Sequence, residues 1–586
     1  MSKVGQPAQP PKLPAPEARI PSHPTPTSDK TKVDSVSPER IDQLDSPANR
    51  ASHAKAPATA PSQALAPATQ ARPADQVQRV TPPSLPEVQA QTLRNFEERD
   101  IQEADKPFMT AKKALGLGAL SVAAAFLLGP LGLLIPLAVV GVDYAAHRGL
   151  FHRALDLVFE GLNGRPFSGP SRATEAALIA MGDRESYPLD DVYPGLKTSM
   201  KTVPLCDVPT PVRGLSAMEA ALTDGLSETS KVKLYVKDDG ASNSGIYGGN
   251  KARKLELLLA QAHHRGDKEM VVSGTAGSHS VLASVLHARE QGLVPSVHLT
   301  SQIPSPRVAD NLVKLARIMS QPIERGDGTE TMGRIEYHGG QLGAGLGMGS
   351  DILRGIRENG QRPFICPPGA TSTLSTVGYL NAMHELADDV RSGRLPEVPK
   401  KIFVPAGSGG TFIGLLLGTM TIPMFADTEI VAISSGSGRP DFQPKKHFDD
   451  VVEFLVEQSG GSFPKVSISE EELGSLIDRT WSGGAYGKRT AESTEAEALA
   501  AQDGLILEST YSAKAMAKMV YEARRENALG DGEDPSTWLF WNTNATKSPD
   551  GPPELNVSHP YSTEDLDLVR RMLGDDVMAT YFDNHA

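Results

Sequence analysis

From about Leu196 onward, short runs rich in β-branched residues alternate with alanine- and leucine-rich stretches. Val-Lys-Leu-Tyr-Val-Lys-Asp (232–238), Glu-Met-Val-Val-Ser-Gly (269–274), Pro-Ser-Val-His-Leu-Thr (295–300), Lys-Ile-Phe-Val-Pro-Ala-Gly (401–407) and Glu-Ile-Val-Ala-Ile-Ser-Ser (429–435) read as strands. Each stands beside a stretch with helical periodicity. Strand, loop and helix in repetition predict an α/β fold, a mostly parallel sheet covered by helices on both faces. The apolar positions Leu255, Leu257, Leu258, Leu259, Ala260 and Ala262 predict a buried helix that starts just after Gly248-Gly249.

Upstream the pattern differs. Between Lys113 and Asp143 lie 29 residues without a charge, more than the roughly 20 that cross a bilayer as a helix. Gly129-Pro130 and Pro136 interrupt this run, which allows a single kinked span, two halves dipping into one leaflet, or a buried helical hairpin. Its distance from the amino terminus argues against a secretory signal peptide. Lys106, Lys112 and Lys113 on one flank and Arg148, Arg153 and Arg165 on the other leave the orientation open. The first 93 residues contain no aromatic residue and no cysteine, so they offer too little apolar surface to offset ordering entropy. The expected organisation is therefore a disordered Pro/Ala-rich tail (1–108), a hydrophobic membrane segment (109–150), a connector (151–198) and a catalytic domain (199–586). A smaller subdomain at about 265–385 is expected inside the last. The tail's partner is not identified by its residues.

A formal net charge of −13 without a local basic stripe excludes a nucleic-acid partner. Cys206 and Cys366 are the only cysteines, which excludes a disulfide framework and fits a reducing compartment. No metal site is expected. His263 and His264 are adjacent and would point about 100° apart on a helix.

The candidate chemistry lies in two glycine loops. In Gly248-Gly249-Asn250-Lys251-Ala252-Arg253-Lys254-Leu255-Glu256, a lysine stands at the mouth of a helix behind residues that let backbone approach a ligand. An amine so placed can form an imine with a carbonyl cofactor. The second loop, Gly407-Ser408-Gly409-Gly410-Thr411, joins the strand Ile402–Pro405 to an apolar helix, the arrangement that cradles a phosphate on backbone N–H groups. It lacks the Gly-Lys-Ser/Thr of a Walker motif and the spacing of a dinucleotide fingerprint. An aldehyde for the lysine and a phosphate for the loop together describe pyridoxal 5′-phosphate.

On these motifs the stretch from about Val203 to Thr546 resembles the fold-type II pyridoxal-phosphate enzymes, within them the 1-aminocyclopropane-1-carboxylate deaminase and D-cysteine desulfhydrase family. The resemblance implies that Lys251 carries the cofactor, that Asn250 and Lys254 assist it, and that Gly407, Ser408, Gly409, Gly410 and Thr411 hold its phosphate. It implies that Ser278, His279 and Ser280, in Gly274-Thr275-Ala276-Gly277-Ser278-His279-Ser280, hold the substrate carboxylate. The family usually has Asn where this chain has His279, which either bonds the cofactor's phenolic oxygen or packs in the loop. Tyr486, in Gly483-Gly484-Ala485-Tyr486-Gly487, and Tyr511 match the family's active-site tyrosines. Ser512 falls where a group faces the pyridine nitrogen, a glutamate in the cyclopropane deaminases. Thr543 matches the desulfhydrase-like threonine, while Asn542, Asn544 and Ala545 depart from the usual His-Thr-Gly-Gly.

The activity implied is a lyase reaction on a small amino acid, β-elimination releasing pyruvate and ammonia. The alternatives are 1-aminocyclopropane-1-carboxylate deamination and a membrane-tethered adaptor or effector that kept the fold and changed or lost the chemistry. The fold type implies a possible homodimer. A cofactor kept inside cells and the apolar run together imply a membrane-associated protein with its catalytic domain on the cytoplasmic side.

Overall fold

The computed structural model of the chain describes Asn163, residues 166–167 and 171–172, and residues 187–583 apart from 224–230, 244, 325–327, 437–442, 530–534 and 546–552. These belong to one compact unit, Pro82–Ala586. Two sheets organise it. The larger has the order β1 (Val212–Gly214), β2 (Val232–Asp238), β12 (Ser536–Asn542), β9 (Lys401–Ala406), β10 (Glu429–Ser434) and β11 (Ile477–Asp478). Only the β1–β2 pair is antiparallel. The smaller is wholly parallel, with the order β7 (Arg334–Tyr337), β4 (Val294–Thr300), β3 (Glu269–Thr275) and β8 (Phe364–Cys366). A short ribbon of β5 (Ile323–Glu324) and β6 (Glu330–Thr331) stands apart.

The strand readings at 232–238, 269–274, 295–300, 401–407 and 429–435 thus coincide with β2, β3, β4, β9 and β10. β4 is buried along its whole length and β9 nearly so, as parallel strands with helices on both faces require. Helices α1 (Asn250–Arg265), α2 (His279–Glu290), α3 (Pro306–Met319), α4 (Gln341–Asn359), α5 (Thr373–Arg391), α6 (Gly410–Thr421), α7 (Ser512–Leu529) and α8 (Thr563–Leu573) follow or precede these strands. α1 is buried on nearly all sides, Ala252 to His263 without a break. It ends at Gly266, whose φ of 73° lets the backbone N–H turn back onto the carbonyls of Ala262 and His263. One apolar core lies around the smaller sheet and two others on the faces of the larger.

The membrane expectation is corrected. Among the described residues no helix is long and apolar enough to cross a membrane, so a membrane-associated location with a cytoplasmic catalytic domain is not supported. The apolar run 114–142 and the tail 1–108 lie outside the described residues.

Candidate active site

The lysine loop and the glycine loop meet between the two sheets. Gly249 opens α1 with a φ of 98°, and a Cβ on it would lie 2.7 Å from the Cα of Ala545. A Cβ on Gly248 would lie 2.3 Å from the Gly240 carbonyl oxygen. Both glycines are therefore demanded by close backbone, and the pair sets Lys251 in the first turn of α1.

The helix behind Lys251 is clamped by charge. Arg253 is buried and pairs with Asp239 at 3.0 Å and Glu385 at 2.9 Å. Asp239 also accepts the Tyr379 hydroxyl at 2.7 Å and the Trp541 indole N–H at 2.9 Å. Lys237 joins through Glu385 and Asp389, at 2.5 and 2.6 Å. Burial alone would raise the Glu385 carboxyl, but Arg253 and Lys237 outweigh it and hold it at about 2. At the next turn the Glu256 carboxylate accepts the backbone N–H groups of Leu205 and Cys206, each at 3.0 Å. Two charged residues of the motif thus serve to fix the helix. Their sequence signal was only that they stand on an otherwise apolar buried helix.

The glycine loop runs from β9 into α6. Gly409 adopts a φ of 86° at the helix start, and a Cβ on Gly407 would meet the Tyr511 ring at 2.6 Å. Asn250 donates from its side-chain amide to the Thr411 hydroxyl at 3.1 Å, joining the two loops directly across 161 positions. Thr371 bridges further: its hydroxyl accepts from Lys254 Nζ at 2.9 Å and shares a hydrogen bond with the Ser408 hydroxyl at 2.6 Å. Lys254 is buried, and its amine is held well below the usual lysine value by burial first and by the Lys251 charge second.

These features fit a phosphate. A buried amine, three hydroxyls and the positive end of α6 converge where a Cβ on Gly410 would come within 3.1 Å of Lys254 Nζ. An anion there offsets the desolvation of the Lys254 amine and its repulsion from Lys251.

The loops open onto a cavity of about 840 Å³, within the range of cofactor and ligand sites. Asn250, Lys251, Ser278, His279, Ser280, Gly407, Ser408, Gly409, Thr411, Tyr486 and Tyr511 all line it. Lys254, Gly410 and Ser512 stand behind the lining. Ser512 is fully buried, and its hydroxyl accepts the Glu508 backbone N–H at 2.7 Å. The residues of that segment that line the cavity are Glu508 to Tyr511. The Glu508 carboxylate accepts the backbone N–H groups of Thr510, Tyr511 and Ser512 at 2.8, 2.6 and 2.8 Å, as suits a carboxylate at the start of α7. An acid four residues before Ser512 carried no sequence signal for this role.

Opposite, Ser278 caps α2, its hydroxyl accepting from the Val281 N–H. The imidazole of His279 is held down at about 3 by burial and by the charges of Arg307, Lys314 and Lys251, so it is neutral at ordinary pH. The loop before it is pinned by Gln302, whose side-chain carbonyl accepts the Thr275 hydroxyl at 2.7 Å and the Gly277 N–H at 3.0 Å. The backbone N–H of Gln302 in turn donates to the Tyr581 hydroxyl at 3.0 Å. The phenol of Tyr511 donates to that of Tyr486 at 2.8 Å. The departures at 542–545 also find a place. The Asn542 amide donates to Asp238 at 2.8 Å, and its carbonyl accepts the Asn544 N–H at 3.1 Å, holding Thr543, Asn544 and Ala545 against the cavity.

The chain matches the pyridoxal-phosphate-dependent enzymes over residues 209–543. It belongs to that family, and its cofactor is pyridoxal phosphate. A provisionally named 1-aminocyclopropane-1-carboxylate deaminase of Pyrococcus horikoshii is 29% identical over 51% of this chain and 81% of its own length. The D-cysteine desulfhydrase of Serratia proteamaculans is 26% identical over 57% of this chain and 91% of its own. Among solved structures, that of an ACC deaminase homologue is similar with 24% identity and a TM-score of 0.46, over 61% of this chain and 95% of its own.

Proposed function

We propose that the cavity takes a small amino acid with a β leaving group, D-cysteine or β-chloroalanine, and eliminates that group. For D-cysteine the balance is substrate plus water giving pyruvate, ammonia and hydrogen sulfide. The observation that carries the reading is the convergence of Lys251 and the Gly407–Thr411 loop on one cavity, with Asn250 bonded to Thr411. In this reading Lys251, Asn250, Lys254 and the glycine loop hold the cofactor. Bound there, it supplies an electron sink for the charge left at the substrate Cα.

The side chains supply the rest. Lys251 Nζ removes the Cα proton. The hydroxyls of Ser278 and Ser280 and the N–H groups at the start of α2 orient the substrate carboxylate. Neutral His279 offers one N–H donor and no charge, so it orients without repelling Lys251. The hydrogen-bonded phenols of Tyr511 and Tyr486 deliver a proton to the departing β substituent. Ser512, enclosed behind Glu508, shapes the floor of the site through the turn it closes.

The test is product release by the purified chain from D-cysteine, L-cysteine, β-chloroalanine and 1-aminocyclopropane-1-carboxylate. Pyruvate from D-cysteine or β-chloroalanine is expected. Formation of 2-oxobutanoate from the cyclopropane substrate alone would move the reading to a deaminase. A coloured, cofactor-loaded protein inert toward all four would favour the adaptor alternative.

A further inference from the structure

A second cluster of reactive side chains stands outside the cavity lining, between α4 and the strands β4 and β7. His298 lies on β4 directly opposite Glu336 on the parallel neighbour β7, and His338 follows two residues later. The Nδ1 of His298 lies 2.9 Å from the Nε2 of His338. The Glu336 carboxylate lies 3.4 Å from His338 Nε2 and 4.0 Å from His298 Nδ1. We propose that His298, Glu336 and His338 bind a divalent transition-metal cation of the zinc class.

Four observations lead there. First, two imidazoles and one carboxylate are the donor set of zinc-class ions, whereas calcium and magnesium ask for oxygen alone. Second, the three edges bracket the about 3.4 Å edge of a tetrahedron with metal–ligand bonds of about 2.0–2.1 Å. Third, the ligand tautomer is already set. Asp351 Oδ2 takes the proton side of His298 Nε2 at 3.0 Å, while its other oxygen engages Arg334 and Arg354. With Nε2–H so held, the Nδ1 lone pair faces His338, the carboxylate–histidine arrangement of metal sites. Fourth, space is kept open. A Cβ on Gly347 would lie 2.6 Å from His298 Nδ1 and 2.9 Å from His338 Cε1, so only glycine fits α4 against the two rings. Glu336 is exposed and His338 partly so, which gives an ion a path from solvent and leaves a fourth position for water.

The site has a consequence for the cavity. α4 carries Gly347 and Asp351 toward the histidines and Ala344, Gly345 and Met348 toward the cavity. An ion joining β4 to β7 beneath α4 holds the floor on which that wall rests.

The experiment uses the full, tag-free, cofactor-loaded chain, stripped with chelator and then titrated with Co²⁺ or Zn²⁺. One equivalent of metal per chain is expected after gel filtration, with visible d–d absorbance for Co²⁺. In His338→Ala and in Glu336→Gln, both altered at partly or fully exposed positions, affinity should fall at least tenfold. The cofactor absorbance of both variants should match the parent, which shows that they are folded. Absence of stoichiometric uptake by the parent, or uptake equal in parent and folded variants, overturns the proposal. The binding readout is independent of turnover, so its failure and that of the lyase reading are separable.

Discussion

At Lys251 the expectations are sharp. Lys251→Ala should give a protein without the cofactor's visible absorbance after gel filtration; retained colour would count against this amine. Gly407→Ala places a methyl 2.6 Å from the Tyr511 ring. The ring must move, and the Tyr511–Tyr486 bond goes with it. Turnover should fall by roughly two orders of magnitude or more, as for lost proton transfer, with cofactor binding less affected. Gln302→Ala frees the 275–277 loop from its two hydrogen bonds. Its mark should be a raised KM with a smaller change in kcat, since the loop holds ground state and transition state alike. Glycine positions were legible from the chain because strand–glycine–helix patterns have few physical readings. Gln302 was not, because its partners lie on another element and a lone glutamine between strand and helix has no distinguishing neighbours.

At the scale of elements, α1 is the piece on which the site depends. Its apolar positions announced a buried helix, but the same run hid the clamp on it. Arg253 meets Asp239, Glu385 and, through them, Lys237, Tyr379 and Trp541, partners up to 302 positions apart. Local spacing cannot announce such pairings. Arg253→Met leaves Asp239 without its cation in the interior and Glu385 with Lys237 alone, and should cost about 3–5 kcal/mol in denaturant unfolding. The acid side can be read from Glu385. Its folded value of about 2 lies below its ordinary 4.5, so its contribution is fully present above about pH 4.5. It is lost as pH falls from there toward 2. In Glu385→Gln the unfolding free energy should be lower at neutral pH and should decline less steeply than the parent's across that window, the other depressed carboxylates Asp351, Asp478 and Asp565 still contributing. An equally steep decline in the variant would locate the acid sensitivity elsewhere.

On the scale of the whole molecule, the alternation of strands and helices sufficed for the α/β class, since parallel strands must be apolar throughout and their crossovers helical. What the pattern could not give was the order β1-β2-β12-β9-β10-β11, in which the last strand of the sheet lies at its middle. That insertion brings Thr543–Ala545 beside Gly249 and makes the departures at 542–545 part of the wall. The metal ligands escaped for a similar reason. His298 and His338 lie 40 positions apart and become neighbours only through the β4–β7 register.

The cavity's lining reaches from Asn250 to Ala545, so a molecule seated there touches the first crossover helix, both sheets and the final strand at once. Saturating such a site draws the equilibrium toward the folded chain by mass action, about 2.7 kcal/mol at a hundred times the dissociation constant. The thermal midpoint of the enzyme should therefore climb with added vitamin and should do so as a single transition. Two separate melts, only one of them responsive, would mean that the halves of the chain unfold on their own.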